Sequence, residues 1–285
     1  MVSAFFSRAR VVIRGGGDLA TGVASRLHRA GFPVLVTELP APSLVRRTVS
    51  FGEAVFSGGI TVEGVTARLV QSLDEVETIL TRDSIPVLID PAGDAIRPFD
   101  PAILIDARMM KHNPDTRLTD APLVIGLGPG YTAGLDCHVV IETNRGHDLG
   151  RAIYTGGAEP DTGEPGVVDG KGQSRVLRAP TSGHVMSLVA IGDQLEPGQP
   201  IATISGQTMT APFTGVLRGL IHERVRVEPG MKIGDLDPRT RRENCFTISD
   251  KSLAIGGGVL EAVMAAPQIR PLLVPQTFHE AASRV

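Results

Sequence analysis

The residues of this 285-residue chain that could do chemistry fall in three places. The first is Gly15-Gly16-Gly17-Asp18, set between a short apolar run, Val11-Val12-Ile13, and a segment of helical periodicity. Glycines at a strand-to-helix turn let an anionic group approach the backbone, and the helix start offers free N–H groups and a positive dipole end. The order Gly15-x-Gly17-x-x-Ala20 fits the looser dinucleotide fingerprint. Glu38 stands about 20 residues further on, where an acid can accept from a ribose hydroxyl. Gly15, Gly16, Gly17, Asp18 and Glu38 are thus the expected cofactor-binding set, and the competing reading is a tight turn that holds no ligand. The second place is Gly126-Leu127-Gly128-Pro129-Gly130. Gly126, Gly128 and Gly130 could turn N–H groups toward an anion, although Pro129 has none to offer. The third is Cys137 beside His138, a candidate thiol nucleophile or soft metal ligand. Neighbours along a strand point to opposite faces, so His138 is not expected to activate Cys137 directly. A small buried cysteine is the plain alternative. Arg108, Lys111 and His112 form the nearest basic set for a phosphate.

The elements that must position these residues read as α/β. Arg10 to Arg14 is a strand, Leu19 to Ala30 a helix ended by Gly31, and Pro33 to Glu38 a second strand. Strand, turn, helix, strand is a right-handed βαβ unit with a parallel pair. Ser72 to Leu80 is a helix, with Ser72 as N-cap and Glu75 completing a capping box. Pro86 to Asp90, Ile103 to Asp106, Leu123 to Ile125 and Val139 to Ile141 are apolar runs of the length expected for buried parallel strands. Ile60 to Val70 reads as a hairpin turning at Glu63-Gly64. Ligands of open α/β sheets bind beyond the carboxyl ends of the strands, which here carry Glu38, Asp90, Asp106 and Gly126.

A different signal occupies the C-terminal half. Ala179 to Ile204 recurs as Ala211 to Leu236 with an offset of 32 residues. Ala179, Pro180, Gly183, Leu188, Glu196, Pro197, Gly198 and Ile201 return as Ala211, Pro212, Gly215, Leu220, Glu228, Pro229, Gly230 and Ile233. Two copies suit a small β sandwich with internal two-fold symmetry, each half covering the other's apolar face. The arrangement resembles the biotinyl/lipoyl carrier fold, a barrel-sandwich hybrid. Carriers hold their modified lysine on the hairpin between the halves, here Ser205-Gly206-Gln207-Thr208-Met209-Thr210, which has no lysine. Lys232 falls inside the second copy, so neither biotin nor lipoate is expected.

Composition bounds the rest. A net charge of −3 gives no strong pull toward nucleic acid or an anionic membrane. No apolar run approaches the roughly 20 residues of a membrane span. The segment Met1 to Arg10 lacks a signal-peptide core, so the cytoplasm is the expected location. The only cysteines are Cys137 and Cys245, which gives neither a disulfide framework nor a zinc spacing, and no metal ligands are assigned.

The motifs Ile13 to Gly22, Ile105 to Met109, Ile125 to Gly130, Asp136 to His147, Gly230 to Arg239, Cys245 to Lys251 and Gly256 to Ala262 together resemble one family. It is the YqeB type of selenium-dependent molybdenum hydroxylase accessory proteins, similar to xanthine dehydrogenase maturation factors. The resemblance implies a role in maturing molybdenum hydroxylases, with binding of molybdenum cofactor (molybdopterin dinucleotide) and assistance in selenium or sulfur loading. It implies an apo molybdenum hydroxylase client and a small-molecule dinucleotide as partners, and it carries over no catalytic residue. Soft thiolate chemistry suits molybdenum and chalcogen alike, which makes Cys137 the candidate catalytic residue. Whether the chain is itself an enzyme or forms homo-oligomers stays open. An NAD(P)-dependent oxidoreductase and a non-catalytic scaffold remain as alternatives. No Tyr-x-x-x-Lys pair accompanies the glycine motif to support the former. The expected architecture is a Rossmann-like cofactor-binding domain at 1–150, a linker at 151–177, a barrel-sandwich hybrid at 178–240, and a C-terminal segment at 241–285 with a helix packed on the domains. Gly256 to Gly258 are expected either to form a turn before a helix starting at Val259 or to permit close packing.

Overall fold

The computed structural model describes residues 5–80, 84–161, 163 and 169–274. Strand β1 (Val11–Arg14) passes through the first glycine turn into helix α1 (Asp18–Arg29) and returns as β2 (Val34–Glu38). Two 3-10 turns, Arg47–Val49 and Phe51–Glu53, and the single-turn α2 (Ala54–Ser57) lead to the hairpin β3 (Gly59–Val62) and β4 (Val65–Val70). Then come α3 (Leu73–Leu80), β5 (Ile85–Ile89), α4 (Ile96–Phe99), β6 (Ile103–Asp106) and β7 (Leu123–Leu127). The short strands β8 (Thr132–Ala133), β9 (Val139–Ile141), β10 (Ala152–Ile153) and β11 (Gly156–Gly157) complete this half.

All of these strands except β8 and β11 form one nine-stranded sheet, ordered β10-β9-β7-β6-β1-β2-β5-β4-β3. Pairing is parallel from β4 through to β9 and antiparallel only at the two edges. The chain moves outward from β1 on one side, then returns to place β6 on the other. The point where direction reverses therefore lies between β1 and β6, with Arg14 opposite Asp106. The period-two alternation of the strands fills both faces. Val11, Ile13, Ile103, Ile105, Ile125 and Ile141 pack on the α1 side, and Val12, Leu35, Leu104, Val124 and Val140 on the other.

The capping box expected at Ser72 has one altered member. The Glu75 N–H donates to the Ser72 hydroxyl, but the Glu75 carboxylate accepts from Gln71, one residue before the cap. The segment expected as a linker is partly structured, since β10 pairs with β9 and β11 with β8. Its residues 162 and 164–168 lie outside the described ones, as do 1–4 and 275–285 of the outer segments.

The repeat becomes two four-stranded antiparallel sheets. Their strands are β12 (Val176–Arg178), β13 (Gly183–Ser187), β14 (Gln194–Leu195), β15 (Pro200–Ile204), β16 (Gln207–Thr210), β17 (Gly215–Leu220), β18 (Arg226–Val227) and β19 (Lys232–Asp237). The orders are β12-β19-β17-β14 and β16-β15-β13-β18. The 32-residue offset carries β12, β13, β14 and β15 onto β16, β17, β18 and β19, and so turns one order into the other. One core is shared, with Leu177, Leu217 and Leu236 meeting Val185, Ile201 and Ile204. Ser205-Gly206, with φ of 47° and 81°, makes the two-residue turn at the join.

Helix α5 (Asp250–Ala265) closes the molecule, with the Ser249 hydroxyl accepting from the Ser252 N–H at its start. It runs straight through Gly256 to Gly258, so the expectation of a turn there is corrected and that of close packing is met. A Cβ on Gly256 would stand 2.8 Å from the Gly22 carbonyl oxygen of α1, and one on Gly258 would stand 1.9 Å from that of Gly150. Backbone contact with α1 and with the loop before β10 is what these glycines permit, at a helix-propensity cost of about 1 kcal/mol each.

Candidate functional site

The first glycine turn is part filled and part open. Glu38, buried at the end of β2, accepts from the Gly16 N–H at 2.7 Å and from the Leu39 N–H at 2.7 Å. Burial pushes its carboxyl above the ordinary value, and those two N–H bonds pull it back. The Gly52 N–H donates to the Gly16 carbonyl, and a Cβ on Gly16 would lie 2.6 Å from the Gly52 nitrogen. A Cβ on Gly15 would meet the Ala107 carbonyl at 3.2 Å. Gly15, Gly16 and Glu38 are therefore engaged by the chain's own backbone. Gly17 differs: its φ is −67°, and a Cβ there would meet only a Leu44 methyl, at 3.8 Å. Space beside the turn is left at Gly17, directly before Asp18 and the N-terminus of α1.

The second glycine turn is folded around its own neighbours. A Cβ on Gly126 would stand 2.5 Å from the Tyr131 ring, one on Gly128 2.4 Å from the Thr143 hydroxyl, and one on Gly130 2.7 Å from the Met110 carbonyl. Tyr131 is thereby pressed over Asp106, which is wholly buried at the end of β6. Burial alone would raise the Asp106 carboxyl. The Arg108 guanidinium and the Thr116 hydroxyl, both donating to it, outweigh burial and hold it below its ordinary value. Arg14 donates from both Nη atoms to Asp115, at 2.8 and 3.1 Å, and Arg108 reaches the same carboxylate. The Tyr131 hydroxyl is buried, and burial first, then the Asp106 charge, raises it far above a free phenol. The network fixes the loops after β1 and β6 at the reversal point. Arg14 also floors a cleft of about 750 Å³ on the α4 side, walled by Gly93, Arg97 and Asp120. Arg108, one of the basic residues nominated from sequence, is thus committed to carboxylates. Lys111 pairs with Asp161 at 3.3 Å.

Cys137 lies apart from the first turn. It precedes β9 at its amino end, within an apolar cluster of Leu104, Val124, Tyr131 and Val140. That cluster covers the face of the sheet opposite α1. Burial pushes the thiol up to about 11, so the thiolate needed for nucleophilic or metal chemistry is scarce near neutrality. The His138 Nδ1 accepts from the Val124 N–H at 3.0 Å and is not turned to the thiol.

The chemistry-bearing groups instead gather where α1, α5 and the β module meet. Arg46 donates to Asp18 at 3.1 Å and to the Asn244 carbonyl at 3.1 Å. Arg218 of β17 lies 4.0 Å from Asp235 and 3.8 Å from Asp237, and Arg175 lies 3.1 Å from Asp235. Arg239 donates to Asp237 at 2.9 and 2.6 Å. Four guanidinium groups thus share the carboxylates of Asp18, Asp235 and Asp237. The buried Nε atoms of Arg46 and Arg218 have no hydrogen-bond partner among the described residues. Burial, then the neighbouring Arg46, lowers the pKa of Arg218. Lys251, in the first turn of α5, is lowered chiefly by burial, with Asp18, Arg145, Glu142 and Lys232 as its charged surroundings. Arg145 pairs with Asp250 through two 2.8 Å bonds. The N-termini of α1 and α5 lie side by side here, a Cβ on Gly22 falling 2.5 Å from the Ser252 carbonyl. Two positive dipole ends and a cluster of cations make the potential here favourable to negative charge. The thiol at this junction is Cys245, which burial raises and Arg218 and Arg46 pull down.

Sequence reasoning missed Arg46, Arg218 and Lys251 as members of one site. The available signal was that three motifs far apart in the chain each carry a cation at or near their end: Arg145, Arg239 and Lys251.

No family model matches the chain. It is 50% identical, over 254 residues and 89% of its length, to the uncharacterized protein YqeB of Escherichia coli (strain K12). The matched region is 47% of that relative, so the chain spans about half the length of the curated protein it matches.

Proposed function

We propose that this chain, a YqeB-type protein over its matched residues, is an accessory factor for molybdenum hydroxylases. In this reading it holds the pyrophosphate of molybdopterin dinucleotide, or of a related dinucleotide, where the N-terminus of α1 meets the β module. The observation that carries the reading is the charge surplus there: Arg46, Arg175, Arg218 and Arg239 share three carboxylates beside two helix N-termini. Phosphate oxygens are acceptors only, so they suit guanidinium groups and helix ends. The open side of Gly17 leaves room for a phosphate against the turn, and Lys251 and Lys232 supply further positive charge. Molybdenum cofactor would bring the redox centre to be delivered; the chain's own groups would bind and orient its phosphates.

The β module is read as a barrel-sandwich hybrid without the carrier lysine. Its matched strand orders and lysine-free hairpin support a rigid docking and positioning unit with no swinging arm. If sulfur or selenium loading uses a thiol of this chain, position favours Cys245, beside Arg46 and Arg218, over Cys137.

The test is calorimetric titration of the chain with pyrophosphate, ADP and NAD⁺, repeated on the Lys251→Gln, Arg239→Gln double variant. Pyrophosphate-bearing probes are expected to bind the wild type and to lose at least about tenfold in affinity in the variant, about 1.4 kcal/mol. Equal affinity in both would move the site elsewhere. Native mass spectrometry showing a nicotinamide nucleotide on freshly purified chain would favour the oxidoreductase alternative.

A further inference from the structure

An aromatic contact joins the α/β half to the β module, and one of its two rings can titrate. Phe56 of α2 packs against the apolar core of the β module. The imidazole of His222, two residues past β17, stacks on the Phe56 ring with centroids 4.0 Å apart and planes 7° from parallel. The turn that carries His222 is closed by the Val225 N–H, which donates to the His222 carbonyl at 3.0 Å, and Val225 is buried in the module's core. The imidazole is therefore anchored in one half and covered by the other.

A hydrogen bond sets its proton state. The Arg224 N–H donates to His222 Nδ1 at 3.1 Å, so Nδ1 is an acceptor and the ring is the neutral imidazole with its proton on Nε2. A second proton would go onto Nδ1, face the Arg224 N–H and end that bond. It would also add positive charge between cations. Arg224 holds its guanidinium 5.8 Å from the Phe56 ring centroid and donates to the Phe56 carbonyl at 3.4 Å. Arg47, which donates to the Leu220 carbonyl at 2.8 Å, is the second cation acting on the imidazole. Two carboxylates stand on the other side of the balance: Glu223 in the same turn, and Glu53, which accepts from Arg47 at 2.8 Å. Burial first, then Arg47 and Arg224, lower the His222 pKa, and Glu223 opposes them.

These neighbours divide between the halves. Glu223 and Arg224 move with the β module, whereas Phe56, Arg47 and Glu53 belong to the α/β half. Separating the halves removes the cover of the Phe56 ring and the Arg47 charge, and so returns the imidazole toward its ordinary behaviour. We propose that His222 makes the docking of the β module on the α/β half sensitive to pH, with the neutral ring closing the joint and the protonated ring loosening it. A ring that binds its proton more weakly when docked favours docking in full above the ordinary imidazole value of about 6.5, and that contribution is lost as pH falls below it. This device does not depend on the proposed phosphate site.

The experiment compares melting temperatures of the full chain between about pH 7.5 and pH 5 for wild type, His222→Gln, Phe56→Ala and the double variant. Glutamine keeps a side-chain acceptor for the Arg224 N–H and cannot titrate. Wild type is expected to lose melting temperature relative to His222→Gln as the pH falls, and this growing gap is expected to shrink in the Phe56→Ala background. The His222 ring resonance, followed by NMR, is expected to titrate below the ordinary imidazole value in wild type and closer to it in Phe56→Ala. If His222→Gln fails to fold, the two NMR titrations carry the comparison alone. A gap that stays constant with pH, a pH dependence unchanged by Phe56→Ala, or equal His222 midpoints in wild type and Phe56→Ala would overturn the proposal.

Discussion

Adjacent glycines of the first turn have opposite duties. Gly16 is pressed against the backbone of Gly52, so Gly16→Ala is expected to destabilise the chain by about 1–3 kcal/mol, as overpacking does. Gly17 has space and an ordinary φ, so Gly17→Val is expected to keep the melting temperature near wild type while losing pyrophosphate binding. Thermal unfolding and titration of the two variants separate these outcomes, and a wild-type affinity in Gly17→Val would remove the turn from the site. The cysteines divide in a similar way. Cys137 sits in apolar packing with its thiol pushed up to about 11, and maleimide labelling of the native chain at pH 8 is expected to be far slower than that of the denatured chain. Coproduction of a molybdenum hydroxylase with Cys137→Ser is expected to leave its activity per bound molybdenum intact, whereas Cys245→Ser should lower it. The reverse pattern would return the chemistry to Cys137.

At the scale of elements, α5 carries the sharpest contrast. Gly257 faces open space within the same helix that buries Gly256 and Gly258. Gly257→Ala is therefore expected to stabilise by about 1 kcal/mol through helix propensity alone. Gly258→Ala, whose Cβ would stand 1.9 Å from the Gly150 carbonyl oxygen, is expected to destabilise by roughly 1–3 kcal/mol or more. Urea denaturation of both variants checks the sign. The start of α5 also has a pH signature. The bonds from Arg145 hold Asp250 down to about 2, from an ordinary 3.8. A carboxyl depressed in the folded state stabilises above its unfolded value and loses that contribution as pH falls through its folded one. Unfolding midpoints of the wild type and Asp250→Asn should therefore converge between about pH 4 and pH 2. A constant gap across that window would mean that the pair does not couple to folding.

Across the whole molecule, the segment after β2 joins the two halves. Arg47 donates to Leu220, Arg46 spans Asp18 and Asn244, and the Thr48 hydroxyl donates to the Cys245 carbonyl. Gly219 lets β17 approach so closely that a Cβ there would stand 2.6 Å from the Val45 carbonyl oxygen. The cluster of Asp18, Arg46 and Arg218 is assembled by this docking. Gly219→Ala is expected to loosen it without unfolding either core, splitting one calorimetric unfolding transition into two and weakening pyrophosphate binding. A single transition at the wild-type temperature would show that the contact adjusts without cost.

Local rules were enough to read much of this from sequence. The Gly15 to Gly17 turn, α1, the apolar strands and the hairpin at Glu63-Gly64 follow from periodicity and turn chemistry, which act over a few residues. The 32-residue repeat foretold matched halves, because similar local patterns make similar strands. Tertiary structure alone decided which groups meet. Glu38 was placed correctly at the end of β2, yet its carboxylate turns onto Gly16, since Gly52 from a later segment closes over that turn. Cys137 and Cys245 look alike in sequence, and only tertiary packing puts one in an apolar cluster against the sheet and the other against β17 near Arg46 and Arg218. The proposed phosphate junction takes Asp18, Arg46, Arg218, Arg239 and Lys251 from segments as far apart in the chain as Asp18 and Lys251. Its charge clustering belongs to none of them singly and arises only when folding brings them within a few ångströms of one another.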